Sequence, residues 1–120
     1  MALEVGFQEG RKYIVHLQIG YGEYWFMYPM FKKLSEQTNE QIDLYGDAEF
    51  SQYNIHHLER VVKDIEELIK SKPEDWDVDL GGYRKAKINK TEFQTKINTL
   101  KDLIIIVKND ASKTLYFLGD

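Results

Sequence analysis

Residues 88–120 read INKTEFQTKINTLKDLIIIVKNDASKTLYFLGD, and the way this stretch folds decides the architecture. Asn89 followed three residues later by Glu92 has the form of a capping box, in which two side chains satisfy free amides at a helix start. Phe93, Ile97, Leu100, Ile104, Val107 and Ala111 then recur at helical spacing. The run LIIIV at 103–107 is β-branched, however. With NDASK as a turn and TLYFLG as a return strand it also suits a hairpin. The unbroken spacing from 93 to 111 favours a helix over 90–111, with TLYFLG as a final strand.

Working back from there, Ile55, Leu58, Val62, Ile65 and Ile69 form a second amphipathic stripe, flanked by Val61 and Leu68. It predicts a helix over 52–71 with Ser51 as N-cap and Pro73 beyond its end. Glu59–Lys63 and Glu66–Lys70 are spaced as i,i+4 pairs on its outer side. The preceding IDLYGDAEF suits a short strand interrupted at Gly46. The following EDWDVDLGGY suits an acidic loop or an edge strand, and YRKAKIN a further short strand.

Between Gly20 and residue 40 aromatic residues crowd together, with Tyr24, Met27, Phe31 and Leu34 at helical spacing and Trp25 and Tyr28 beside them. Proline lacks an amide donor and is best tolerated in a first turn, so Pro29 places this helix at 28–37. At the start of the chain, Leu3, Val5 and Phe7 alternate, then Tyr13, Val15, Leu17 and Ile19, on either side of Glu9-Gly10. That is a β-hairpin pattern with glycine at the turn. Strands at both ends with helices between give an α+β domain spanning 1–120: a mostly antiparallel sheet with about three helices packed against it.

The 120 residues are 42% hydrophobic and 30% charged, which suits one globular domain and argues against disorder. No cysteine is present, which excludes disulfides and thiolate metal sites and favours a reducing cytoplasm. No segment approaches the roughly 18 apolar residues of a membrane helix. MALEVGFQEG lacks the basic-then-apolar order of a secretory signal. The net charge of −4 disfavours direct nucleic-acid binding. Its distribution is uneven: residues 1–79 carry a balance of −8, residues 80–120 one of +4. Such segregation either solvates two faces with opposite signs or offers an acidic surface to a basic partner.

Catalytic and metal motifs are missing from the sequence. His56 and His57 diverge by about 100° on a helix and cannot easily share a metal, and His16 stands out of phase with its strand. Asp75-x-Asp77-x-Asp79 opens like a calcium loop, but Leu80 and Ala86 occupy the positions where glycine and glutamate are needed. No serine lies in a GxSxG frame and no phosphate loop is present. Arg84, Lys85, Lys87 and Lys90 read as a solvated strand face. No enzymatic activity, cofactor or metal is expected.

The stretch at 24–69, YWFMYPMFKKLSEQTNEQIDLYGDAEFSQYNIHHLERVVKDIEELI, and the closing stretch quoted first are similar to small bacterial immunity proteins of contact-dependent growth inhibition and other polymorphic toxin systems. The resemblance implies a cytoplasmic protein that binds a cognate toxin domain, such as a nuclease, and covers its active site or blocks substrate entry. The composition also suits a small non-enzymatic phage or bacterial adaptor or regulatory domain. For a binding surface the candidates are two acidic groups: Asp43, Asp47 and Glu49; and Glu74, Asp75, Asp77 and Asp79 around Trp76. Carboxylates steer a basic partner and a tryptophan can anchor it, although Trp76 equally suits the core.

Overall fold

The structure, a computed structural model, describes residues 3–119; Met1, Ala2 and the closing Asp120 lie outside the described residues. The elements in chain order are β1 (Leu3–Glu9), β2 (Lys12–Ile19), α1 (Tyr21–Thr38), β3 (Asp47–Phe50), α2 (Ile55–Lys70), β4 (Asp75–Gly81), β5 (Arg84–Asn89), α3 (Lys90–Asn109) and β6 (Leu115–Leu118). All strand pairs are antiparallel. The fold is α+β, and its strands form two sheets where the sequence suggested one. Four strands run in the order β2-β1-β6-β3, and β4-β5 stand apart as a hairpin.

The decisive stretch is a helix. The Asn89 side chain accepts the Glu92 amide at 2.9 Å and caps α3. Phe93, Ile97, Leu100, Ile104 and Val107 are buried as the spacing requires. Ala111 is not, because α3 ends at Asn109 and residue 111 is in the turn leading to β6. The isoleucine run looks strand-like because Ile105 and Ile106 face solvent, at 51% and 42% exposure, and so add β-branched character without adding core.

Helix α2 keeps its predicted stripe, with Ile55, Leu58, Val61, Val62, Ile65 and Ile69 buried; Leu68 is exposed. Its N-cap is Asn54 rather than Ser51. The Ser51 carbonyl accepts the amides of Asn54 and Ile55, so residues 51–54 form a turn ahead of the helix. The expected i,i+4 pairs do not form. Glu59 reaches Lys108 at 2.8 Å and Glu66 reaches Lys101 at 3.2 Å, strapping α2 to α3, while Lys70 turns back to Glu67.

Helix α1 begins at Tyr21, two turns before the predicted start, and Pro29 lies within it. The Gly20 amide donates to Glu23 Oε1 at 2.8 Å, and the same oxygen meets Lys96 Nζ at 2.7 Å. That cap, with the buried stripe Tyr24, Met27, Phe31 and Leu34, holds the early turns against the loss of one amide at Pro29.

The N-terminal hairpin turns at Gly10, whose φ of +62° is a conformation glycine adopts freely. Its second strand departs from plain alternation. Val5 pairs with Leu17 but Gly6 pairs with Val15, so His16 is the extra residue of a β-bulge. The bulge reverses the phase. Leu17 and Ile19 point into the core as predicted, whereas Val15 is 39% exposed. Gly6 is the residue this permits: a Cβ there would strike the Ile14 carbonyl.

Candidate functional site

The two acidic groups lie in different sheets, and most of their carboxylates already have work to do. Asp43 Oδ1 accepts the amides of Tyr45 at 2.7 Å and Gly46 at 2.6 Å, fixing the turn before β3. Glu74 Oε1 accepts the Thr91 hydroxyl at 2.6 Å and the Asn89 side-chain amide at 3.2 Å, so it braces the start of α3. Asp75 also accepts from Asn89, at 3.2 Å, and Asp79 holds the Gly81 amide at 2.9 Å. Across the β4–β5 hairpin Asp77 stands opposite Lys87 and Asp79 opposite Lys85, so this acidic row is met by a basic one.

Trp76 does not stand among these acids. Alternation turns Asp75, Asp77 and Asp79 outward and Trp76, Val78 and Leu80 inward. The indole packs against Phe26, with ring centroids 5.3 Å apart, and Phe93, at 6.4 Å. The Lys72 ammonium lies 5.8 Å from it. The core reading of Trp76 is the one the geometry supports; as an exposed anchor it is corrected.

Asp47 and Glu49 are different. Phe50 and Ala48 of the short β3 point into the core, which sends Asp47 and Glu49 to the opposite face of the four-stranded sheet. Register places Asp47 opposite Leu118 and Glu49 opposite Tyr116, and Tyr116 in turn opposite Gly6. Gly6 continues to Val15, and Gln8 to Tyr13. One face of the sheet thus carries the core residues Leu3, Val5, Phe7, Leu115 and Phe117. The other carries a central strip of Tyr13, Val15, Tyr116 and Leu118, bordered by Glu4, Asp47 and Glu49.

The strip is ordered by its own contacts. Tyr13 and Tyr116 meet edge to face with centroids 6.2 Å apart, and the Tyr13 hydroxyl donates to the Tyr116 carbonyl at 3.0 Å. Burial, with the negative charges of Glu4 and Asp47 behind it, pushes the Tyr13 phenol up to about 12, so it stays a neutral donor. Among the described residues no lysine, arginine or histidine pairs with Glu4, Asp47 or Glu49; the ion pairs lie on the helices. Glu40 adds a fourth carboxylate at this edge, accepting the Glu49 amide at 3.0 Å.

Of the seven acidic residues named from the sequence, Asp47 and Glu49 therefore belong to an open surface. Glu4, Tyr13 and Tyr116 were missed. A period-two count puts Tyr13 on the wrong face because the bulge at His16 is invisible to it, and the pairing of β6 beside β1 joins residues over 100 positions apart.

Among the described residues no group of three or more histidine or acidic side chains could hold a metal ion. His56 and His57 lie with ring centroids 4.1 Å apart on the first turn of α2. The apolar cleft between α2 and α3, floored by Val62 and Ile104, measures only about 70 Å³; the larger depressions, about 460 Å³ along the start of α3 from Lys90 to Asn98 and about 430 Å³ between Val15–Gln18 and Lys96, are shallow and open to solvent. No described helix is long and apolar enough to cross a membrane. No known family model, characterised protein or solved structure matches this chain.

Proposed function

We propose that this chain is a non-catalytic binding protein whose open sheet face covers a basic surface of a partner and so neutralises it, as an immunity protein does its toxin in the cytoplasm. One observation carries the reading: Tyr13, Tyr116, Val15 and Leu118 form an apolar and aromatic centre bordered by Glu4 and, on the β3 side, by Asp47 and Glu49, carboxylates that pair with no cation among the described residues. A desolvated aromatic centre supplies binding energy, while a charged border sets encounter rate and excludes like-charged surfaces. A nuclease, which must attract phosphates, presents the complementary positive field. The rigid sheet beneath holds the surface in place at little entropic cost.

The test is binding to the protein encoded beside this gene, followed by surface plasmon resonance for wild type, Asp47→Lys/Glu49→Lys and Tyr116→Ala. Wild type is expected to bind with a rate that falls as salt rises. The double reversal is expected to slow association and flatten the salt slope, and Tyr116→Ala to speed dissociation. Equal binding by all three proteins removes the sheet face from the interface. Absence of a complex between wild type and the neighbouring gene product overturns the neutralising role.

A further inference from the structure

We propose that two copies of this chain associate through the free edge of β2, joining their four-stranded sheets into one antiparallel sheet across a two-fold axis. The joint uses the main-chain edge opposite β3; Tyr13 and Val15 flank it and also belong to the open face, so the association is tested on the protein alone, with no partner present.

The two edges of the sheet are finished differently. At β3 the outward main chain is closed by side chains: the Glu49 amide donates to Glu40 Oε2 at 3.0 Å, and the Glu49 carbonyl accepts from Asn54 Nδ2 at 3.3 Å. β3 is also short. β2 is twice as long, Lys12–Ile19, and among the described residues it pairs with β1 alone. Among the described residues no side chain or loop outside β1 hydrogen-bonds to its main chain. A long edge with free amides and carbonyls is a template for another strand.

The strand's own side chains at the middle of that edge are apolar, and the nearby charges come from other elements: Lys96 beside Val15–Gln18, and Lys113, 5.6 Å from the ring of Phe7, which pairs with Ile14. Ile14, on the helix-side face, is 37% exposed, and Val15, on the open face, 39%. The full charge on the strand is Lys12, at its start. The shortest antiparallel register that keeps like faces together centres on Ile14, setting Ile14 against its own copy and Tyr13 against Val15. Both faces of the joint then gain an apolar pair, and the bulge at His16 marks where regular pairing stops.

Charge disfavours self-pairing at the other open edges. Self-pairing of β4 would set Asp75, Asp77 and Asp79 against carboxylates, and self-pairing of β5 would set Arg84, Lys85 and Lys87 against cations. Pairing β4 of one copy with β5 of another is head-to-tail and does not close. Of the open edges, β2 is the self-complementary one.

Sedimentation equilibrium across a concentration series tests the idea, with Ile14→Lys and Val15→Lys beside wild type and thermal midpoints to confirm folding. Wild type is expected at twice the mass of one chain. Each lysine should weaken association on the order of a hundredfold, because a two-fold interface counts every substitution twice. A second measurement exploits the absence of cysteine. Residues facing each other across antiparallel strands sit roughly 4.5–5.5 Å apart at Cα, within disulfide range. Mild oxidation should therefore cross-link Ile14→Cys but not Tyr83→Cys, which lies on the exposed hairpin turn. A wild-type monomer throughout the series, a dimer indifferent to both lysines, or equal cross-linking at 14 and 83 overturns the proposal.

Discussion

Glu23 holds two elements with one oxygen. Its Oε1 accepts the Gly20 amide that opens α1 and the Lys96 ammonium from α3, and the side chain is nearly buried. Truncation strands both donors, so Glu23→Ala should cost about 1–3 kcal/mol, whereas Glu23→Gln keeps an acceptor for the amide and should cost less. Denaturant midpoints of the two variants check this, and identical midpoints would show that the cap is idle. Ile65 is a simpler case: it is wholly buried in the α2 stripe, and Ile65→Ala should cost about 2–5 kcal/mol through lost transfer energy and a cavity. His57 adds a pH dependence. Desolvation first, then the neighbouring His56 and Arg60, hold its imidazole below the ordinary value of 6.5. As pH falls the unfolded chain takes the proton first. Stability present above about 6.5 is therefore lost as pH drops through the folded value. The thermal midpoint of wild type should fall between pH 7 and pH 5 by more than that of His57→Gln; parallel curves would clear His57 of the effect.

At the scale of elements, what the sequence shows well is what a single stripe dictates. α2 and α3 bury the residues their spacing names, and the Asn89 cap starts α3 where expected. The misplaced features are those where a distant partner overrules a local rule. Pro29 argues for a late start to α1, yet Glu23, Lys96 and the buried aromatics hold two further turns. The proline itself is exposed and contributes little packing. Replacing it by alanine restores an N–H that can donate to the Trp25 carbonyl in the preceding turn, at no cost to the core. Pro29→Ala should stabilise the fold by about 1–3 kcal/mol, read as a higher denaturant midpoint. A lower midpoint would mean that the proline is matched to a bend the surrounding aromatics require. The hairpin shows the same contest. Tyr13 and Val15 share a period with Leu17 and Ile19 in the sequence, but the bulge at His16 divides them between two faces. No residue count along one strand reveals an extra residue that only the partner strand defines.

Across the whole molecule, acidic residues are abundant enough that composition alone could not say which of them are free. The carboxylates at 74–79 are engaged in caps and turns or face lysines, while those at 47 and 49 border an open aromatic strip. That distinction gives a comparison in which net charge is held constant. Asp47→Lys/Glu49→Lys and Asp75→Lys/Asp77→Lys change the protein's charge equally, so any long-range steering of a basic partner changes by a similar amount. What differs is the contact. If the sheet face is the interface, the β3 reversal should raise the dissociation rate as well as slow association, because its lysines would be pressed against cations in a desolvated border. The hairpin reversal should slow association modestly and leave dissociation unchanged, and its slowing should fade at high salt as the Debye length shrinks. Association and dissociation rates for both variants at two ionic strengths separate these cases. Faster dissociation from the hairpin variant alone would move the interface to β4 and away from the open sheet face.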